Sequence, residues 1–121
     1  MSARILRSGG VSELDLKGIN EAKQFSEERF TKIDFIKNKK STAFVLNFLP
    51  GQDMRAHHHP QKELFLYVLD GSGTFTVDGE EVPVKEGDVL YCEENEKIGF
   101  TNTSGGKVSI YGAMTKVATK Q

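Results

Sequence analysis

The chain has 121 residues, the length of one domain, and its 12 glycines, eight phenylalanines and many Val and Thr residues favour β structure. Its 16 basic and 17 acidic residues give a formal net charge of -1, which excludes a global electrostatic attraction to nucleic acid or to an anionic membrane. No run of about 18 apolar residues is present to span a membrane, residues 1–10 lack a signal-peptide core, and Cys92 is the only cysteine. We therefore expect a single cytoplasmic domain without a disulfide.

Short strands separated by glycine-containing turns dominate the chain after residue 29. Residues 1–29 show no clear period, and residues 18–29 have only weak helical character. Beyond them, side-chain patterns and turn residues predict strands over 30–37, 41–49, 55–59, 63–69, 74–77, 81–85, 89–92, 97–102 and 107–114. Asp78-Gly79 predicts a type I′ hairpin between two of these strands. Many short strands at regular spacing predict a β-sandwich or β-barrel.

The three histidines of the protein, His57, His58 and His59, are consecutive. On an extended strand, successive side chains point to opposite faces, so His57 and His59 are expected to share a face that His58 does not. Glu63 follows four residues later and joins the pair if the chain turns through Pro60. Two imidazoles and a carboxylate that converge on one point form a metal site, and the alternative is an exposed polar loop without a role.

The residues around these histidines resemble the first of two motifs of the cupin family. That motif runs Gly, five residues, His-x-His, three or four residues, Glu, and then a further Gly. The matching residues of this chain are Gly51, His57, His59, Glu63 and Gly71. The gap between the last two is seven residues instead of the usual six, and a β-bulge in the strand over 63–69 would absorb the extra residue.

The second motif resembles the family only at its two ends. In the family it runs Gly, five residues, Pro-x-Gly, two residues, His, three residues, Asn. Gly87 and Asn102 match the first and last positions, whereas Glu93, Asn95 and Ile98 stand at the Pro, Gly and His positions. The chain is thus similar to small, single-domain, RmlC-like cupins, and Ile98 replaces a residue that the family uses chemically.

The resemblance extends over about residues 42–114 and implies an all-β fold, the double-stranded β-helix or jelly-roll barrel of the cupins. The whole chain, 1–121, would be a single cupin domain, with residues 1–41 as N-terminal strands or an arm and residues 42–114 as the barrel core. Cupins commonly pair their barrels, which implies a homodimer. Independently, an N-terminal segment of this length is suited to cover a sheet edge, its own or that of a partner.

The resemblance also implies a metal-dependent chemistry. In metal-binding cupins the histidine of the second motif is the usual fourth protein ligand, and Ile98 cannot coordinate a metal. His57, His59 and Glu63 then resemble a 2-His-1-carboxylate site with open positions, for Fe, Mn, Ni, Co or Zn. Such a site implies an oxygenase or isomerase acting on a small polar metabolite. The alternative is a degenerate cupin, a small-molecule binding module without a catalytic metal.

Four further residues are candidates for substrate contacts: Arg55, Tyr67, Ile98 and Phe100. Arg55 is in phase with the predicted metal ligands and has the guanidinium that would hold a carboxylate, although it is equally well placed to be a solvated residue near a strand end. Tyr67 lies in the apolar run over 63–69, where either face of the strand is suited to pack on the barrel or on a second layer. Cys92 is expected to be a buried, inert thiol.

Overall fold

The protein, as described by a computed structural model over residues 2–6 and 13–117, consists almost entirely of antiparallel strands, with side chains described from residue 15 onward. A short 3₁₀ helix covers Ile19–Ala22. The strands are β1 (Ser2–Leu6), β2 (Glu13–Lys17), β3 (Thr31–Lys37), β4 (Ser41–Phe48), β5 (Asp53–His57), β6 (Lys62–Asp70), β7 (Ser72–Val77), β8 (Glu80–Lys85), β9 (Val89–Cys92), β10 (Ile98–Thr101) and β11 (Val108–Lys116).

Two sheets form the barrel. One has five strands in the order β3-β4-β11-β6-β9, the other has four in the order β5-β10-β7-β8, and β1 pairs only with β2 among the described strands. Non-consecutive strands are neighbours in both sheets, which is the jelly-roll topology of a double-stranded β-helix. The predicted all-β fold class is thereby confirmed. Within the described part of the chain, no helix has the length and apolar character needed to cross a membrane.

The core fills the space between the two sheets. Phe48, Phe75 and Phe100 are fully buried, and the Phe100 ring centroid lies 4.7 Å from that of Phe48 and 4.8 Å from that of Phe75. Burying one such side chain contributes about 1.5–3 kcal/mol. Ile98 is fully buried in the same cluster. Ile98 and Phe100, two of the candidate substrate contacts, are therefore core residues of the barrel.

All nine predicted strands lie within two residues of their observed bounds, and the displacement with the largest consequence concerns the histidines. The strand predicted over 55–59 is shifted, because β5 ends at His57, so His58 and His59 lie beyond it. Pro60 follows at once, and the residue before a proline is restricted in conformation. The predicted hairpin is confirmed: Asp78 and Gly79 have φ angles of 50° and 84° between paired β7 and β8.

The matching glycines and the asparagine of the two motifs lie in turns of the barrel. Gly51 donates a backbone hydrogen bond of 3.1 Å to the carbonyl of Asn102, so the two motifs meet directly. Gly51, Gly71 and Gly87 all have positive φ angles, of 82°, 84° and 94°. A Cβ added to Gly71 would lie 2.5 Å from the carbonyl oxygen of Lys107, so this turn excludes a side chain on two grounds.

Asn102 has a structural role in the turn between β10 and β11. Its side chain is buried, and Nδ2 donates to the carbonyl oxygens of Phe48, at 3.1 Å, and Gly106, at 2.8 Å. Oδ1 accepts hydrogen bonds from the backbone N–H and the hydroxyl of Ser104. Every polar atom of the buried amide is paired, which is what its burial requires.

Two β-bulges change which side chains face the interior. In β5, the three steps from Met54 to His57 lie opposite two steps of β10, so β5 contains an extra residue. In β6, Val68 and Asp70 lie opposite consecutive residues of β11, so Leu69 is the extra residue. The predicted bulge is thus present, but it lies after residues 64–68, whose alternation is unbroken.

The outer face of the five-stranded sheet is covered at one end and bare at the other. Near β3 and β4, Asn47 is buried and donates a hydrogen bond of 2.8 Å to the carbonyl of Ala22 in the 3₁₀ helix. Along β6 and β9, four large apolar side chains are between 41% and 63% exposed. We call these residues the aromatic patch: Phe65, Tyr67, Val89 and Tyr91.

Candidate functional site

A cavity of about 140 Å³ lies between the sheets, beside the end of β5. Its inner wall is formed by buried side chains of β4 and β6, and its mouth by half-exposed or exposed ones of β3 and of the histidine segment. The lining residues are Phe30, Lys32, Phe44, Leu46, Met54, His57, His59, Leu64, Leu66 and Met114. A wider depression of about 370 Å³ lies outside the barrel, against β3, and has no histidine in its wall.

His57 and His59 both reach the cavity, as the sequence predicts, but strand alternation is not the cause. The bulge in β5 turns Met54 and His57 to the same side, and His59 lines the cavity from the segment beyond the end of β5. The two imidazole centroids are 4.6 Å apart. His58 is exposed and does not line the cavity.

The proton of His57 is fixed by its own strand. Its Nδ1 lies 2.8 Å from the carbonyl oxygen of Arg55. A carbonyl can only accept a hydrogen bond, so Nδ1 carries the proton and donates it. In the neutral ring, Nε2 therefore holds a free lone pair.

His59 lies in a positive field. Its pKa is lowered below the usual value by partial burial first, and then by His57, Lys62, Lys32 and His58. No carboxylate is among the groups that act on it. Burial and the neighbouring positive groups therefore favour the neutral form of His59 over the imidazolium.

The third predicted metal ligand, Glu63, lies on the opposite face of β6. Because alternation is regular over 64–68, the side chains of Leu64 and Leu66 point into the barrel, and Glu63 shares the outer face with Phe65. The hydroxyl of Tyr91 donates a hydrogen bond of 2.9 Å to Oε2 of Glu63, and this bond raises the pKa of Tyr91. Among the described residues, no three His, Cys, Asp or Glu side chains are close enough to hold a metal ion.

The positions where the family supplies further ligands hold aliphatic side chains. In the family, six residues separate the carboxylate from the following glycine. Six residues before Gly71 leave Leu64, which lines the cavity, at the carboxylate position instead of Glu63. Ile98 pairs with His57 across β5 and β10, so a histidine there would stand next to the imidazole pair. Metal sites ordinarily use three or four protein ligands. Two imidazoles beside Leu64 and Ile98 do not fit that requirement.

None of the four candidate substrate residues lines the cavity. Arg55 is exposed. Because of the bulge in β5, Met54 and not Arg55 faces the same side as His57. Tyr67 belongs to the aromatic patch on the outer face, since it alternates with Leu66. Ile98 and Phe100 lie deeper, in the core. For Arg55 and Tyr67 the reason is a change of face, because a shift of one residue moves a side chain to the other side of the sheet.

Lys32 is a lining residue that sequence reasoning missed. Its Nζ lies 4.6 Å from the centroid of the Phe44 ring and 2.5 Å from Oδ1 of Asp34. The alternating apolar pattern Phe44, Leu46, Phe48 in β4 was the available signal for the inner wall. The position of Lys32 depends on the pairing of β3 with β4, which the sequence does not display.

Cys92 is buried at the end of β9 and is chemically quiet. Burial, aided by Glu96 and other acidic neighbours, raises the pKa of its thiol to about 11. Its Sγ lies within 3.8 Å of the carbonyl oxygens of Glu93 and Glu96. At neutral pH the thiolate, which is the reactive form, is almost absent, as predicted for an inert cysteine.

Comparison with known proteins agrees with this fold. A family model described as a cupin domain matches residues 44–113. The oxalate-binding protein of Thermotoga maritima is 35% identical over 66 residues, which are 54% of this chain and 54% of that protein. The match therefore spans about half the length of this curated relative.

Solved structures give the same picture. An RmlC-like cupin protein from Desulfovibrio desulfuricans superposes with a TM-score of 0.69 and 28% identity, covering 81% of this chain and 96% of that one. A protein from Thermus thermophilus gives a TM-score of 0.79 with 19% identity, covering 85% and 98%. The second likeness is one of fold alone.

Proposed function

This chain belongs to the cupin family, and on that premise we propose that it binds a small molecule inside its barrel, without a catalytic metal. The observation that carries the proposal is the cavity beside His57 and His59: Leu64, which lines it, and Ile98, which pairs with His57 from the core, stand where the family supplies metal ligands. Ligand pockets of this kind combine apolar walls with a few polar groups that orient the ligand. The name of the oxalate-binding relative supports small-molecule binding as the general role.

The competing hypothesis is a metal-dependent enzyme of the oxygenase or isomerase type. It places Fe, Mn, Ni, Co or Zn on His57, His59 and Glu63, and the close pair of imidazoles favours it. For this site to form, Glu63 would have to leave Tyr91 and cross to the inner face of β6. The metal hypothesis therefore makes a prediction of its own, that metal binding depends on Glu63.

Metal content separates the two hypotheses. Untagged protein is loaded with Fe(II), Mn(II), Ni(II), Co(II) or Zn(II), desalted and measured by elemental analysis, together with the Glu63→Gln and His59→Ala variants. We expect less than one metal per chain, and the same content in wild type and Glu63→Gln. One metal per chain in the wild type, lost in both variants, would overturn the proposal in favour of the enzyme.

Binding itself is tested with a neutral apolar probe. Benzyl alcohol is titrated while the methyl resonances of Met54 and Met114, which both line the cavity, are followed by NMR. Saturable shifts of both resonances are expected. If neither methyl responds to benzyl alcohol, to benzoate or to benzylamine, the cavity is not a binding site and the proposal fails.

We also propose that a second copy of the chain covers the aromatic patch. Four half-exposed side chains of this size present on the order of 400 Å² of surface, the size at which patches mark interaction sites. Among the described residues, Leu16 is the one other large apolar side chain that is exposed. A matching apolar surface on another copy is therefore the patch itself, which favours a two-fold symmetric homodimer.

Light scattering tests the dimer. We expect twice the mass of one chain for the wild type and for Leu16→Lys, and the mass of one chain for Tyr67→Lys. Leu16→Lys is the matched control, because it places the same charge on an exposed apolar residue outside the patch. A wild-type mass of one chain would refute this proposal.

A further inference from the structure

The inner wall of the cavity is built for an apolar body. Phe44, Leu46, Leu64 and Leu66 are each at most 4% exposed, and their side chains from β4 and β6 close the inner end. The volume of about 140 Å³ is close to that of a dry engineered cavity of about 150 Å³ that binds benzene. The wall therefore suits a group of about the size of one six-membered ring.

The mouth of the cavity is cationic. Lys32 lines it, with its side chain 40% exposed, and none of the lining residues is acidic. Of the acidic side chains on the neighbouring strands, Asp34 is bound to Lys32 itself and offsets part of its charge, whereas Glu63 accepts from Tyr91 on the outer face. Lys62 adds a second positive charge near His59.

The donors at the mouth point to one kind of head group. The ammonium of Lys32 has three N–H donors, of which Asp34 takes one. The His59 ring has at least one N–H donor in either protonation state, whereas His57 already donates its Nδ1 proton to the carbonyl of Arg55. A group that only accepts hydrogen bonds and carries negative charge matches Lys32 and His59 together.

We infer that the ligand is a small carboxylate with an apolar, ring-sized body, bound with its head at Lys32 and His59 and its body against Leu64 and Leu66. This inference rests on the proposed binding function and names its ligand class. It separates this chain from binders of fully polar dianions such as oxalate, which would leave the apolar wall without a partner.

The test compares probes that share a ring and differ in charge. Dissociation constants of benzoate, benzyl alcohol, benzylamine and oxalate are measured by calorimetry at pH 7 and low salt. Benzoate is expected to bind about tenfold more tightly than benzyl alcohol, the gain of one charge-assisted hydrogen bond, and benzylamine and oxalate more weakly still.

Two variants assign that preference to the mouth. Lys32→Met keeps most of the side chain over Phe44 and removes the charge. The affinity for benzoate is therefore expected to fall about tenfold, to that for benzyl alcohol. Lys85→Met removes one positive charge from a side chain that is 80% exposed on β8. It is expected to leave the dissociation constants of benzoate and benzyl alcohol unchanged. An equal loss in both variants would mean that net charge, not Lys32, attracts the anion.

The outcomes separate this inference from the proposal beneath it. Equal affinity for benzoate and benzyl alcohol, with shifts of the Met54 and Met114 methyls, overturns the carboxylate inference and leaves small-molecule binding standing. Tighter binding of oxalate than of benzoate also overturns the inference. Absence of binding by all three ring compounds overturns both.

Discussion

The turns of the barrel keep the residues of the cupin motifs more fully than the cavity does. Gly51, Gly71, Gly87 and Asn102 match the motifs, and each meets a geometric demand of the backbone. In the interior, Ile98 replaces the family histidine beside His57, and Leu64 occupies the inward position that the usual spacing assigns to the carboxylate. The residues that shape the backbone are therefore different from the residues that set the chemistry of the interior.

The physical reason for the contrast is the cost of each replacement. At Gly71, any other residue meets both an unfavourable φ and the carbonyl of Lys107. At Ile98 and Leu64, an aliphatic side chain buries apolar area and strengthens the core. Losing a metal ligand thus costs the fold nothing, whereas losing a turn residue costs it a great deal.

The largest effect is expected for Gly71→Ala, which attacks the turns. We expect the free energy of unfolding to fall by about 4 kcal/mol, from the strained φ and the overpacked Cβ together. Urea unfolding followed by circular dichroism measures it. Gly79→Ala is the matched control, because Gly79 has the same φ of 84° and open space around its Cβ, so about 1–2 kcal/mol is expected there. Equal losses would show that the contact with Lys107 contributes nothing.

The second prediction restores the two ligand types that the family has and this chain lacks. Leu64→Glu combined with Ile98→His places a carboxylate and an imidazole beside His57 and His59. Without metal, the buried polar groups are expected to lower the free energy of unfolding by about 3 kcal/mol. Elemental analysis should then find one Zn(II) or Mn(II) per chain, with a rise in melting temperature on loading. A folded double variant that takes up no metal would contradict the assignment of Leu64 to the ligand position.

The third prediction returns to the turns. Asn102→Ala leaves the carbonyls of Phe48 and Gly106 without their amide donor, so we expect a loss of about 2 kcal/mol in unfolding free energy. Thr103→Ala changes the neighbouring exposed residue and should cost less than about 0.5 kcal/mol. If the two variants unfold alike, the buried amide does not hold this turn.

The smallest effect is expected for Glu63→Gln, the residue on which the sequence and the structure disagree most. Its contact with Tyr91 is exposed in the single chain, so in the monomeric Tyr67→Lys background the free energy of unfolding should change by less than about 0.5 kcal/mol. A matched comparison with Tyr91→Phe, which removes the same hydrogen bond from the other side, should give a similar small value. A loss of several kcal/mol in Glu63→Gln alone would show that the carboxylate has a further partner.

The sequence predicted the parts of the molecule that depend on local patterns. The strands, the Asp78-Gly79 hairpin and the turn glycines follow from side-chain alternation and from φ angles that few residues adopt. The meeting of His57 and His59 was also predicted, although His59 lies beyond the end of β5 and not on the strand. The sequence did not predict that Glu63 points outward, or that Met54 lines the cavity in the place expected for Arg55. Both outcomes depend on where an extra residue enters a strand.

The amino-acid sequence by itself thus determined the fold, since glycines at strained turns, a buried asparagine and alternating strands allow few other arrangements. Only the tertiary structure decided which side chains share the cavity. Face and register depend on the pairing of β5 with β10 and of β6 with β11, and a slip of one residue exchanges the inner and outer sets. For that reason the segment of three histidines identified the family, while the strands around it decided that Leu64, and not Glu63, stands beside them.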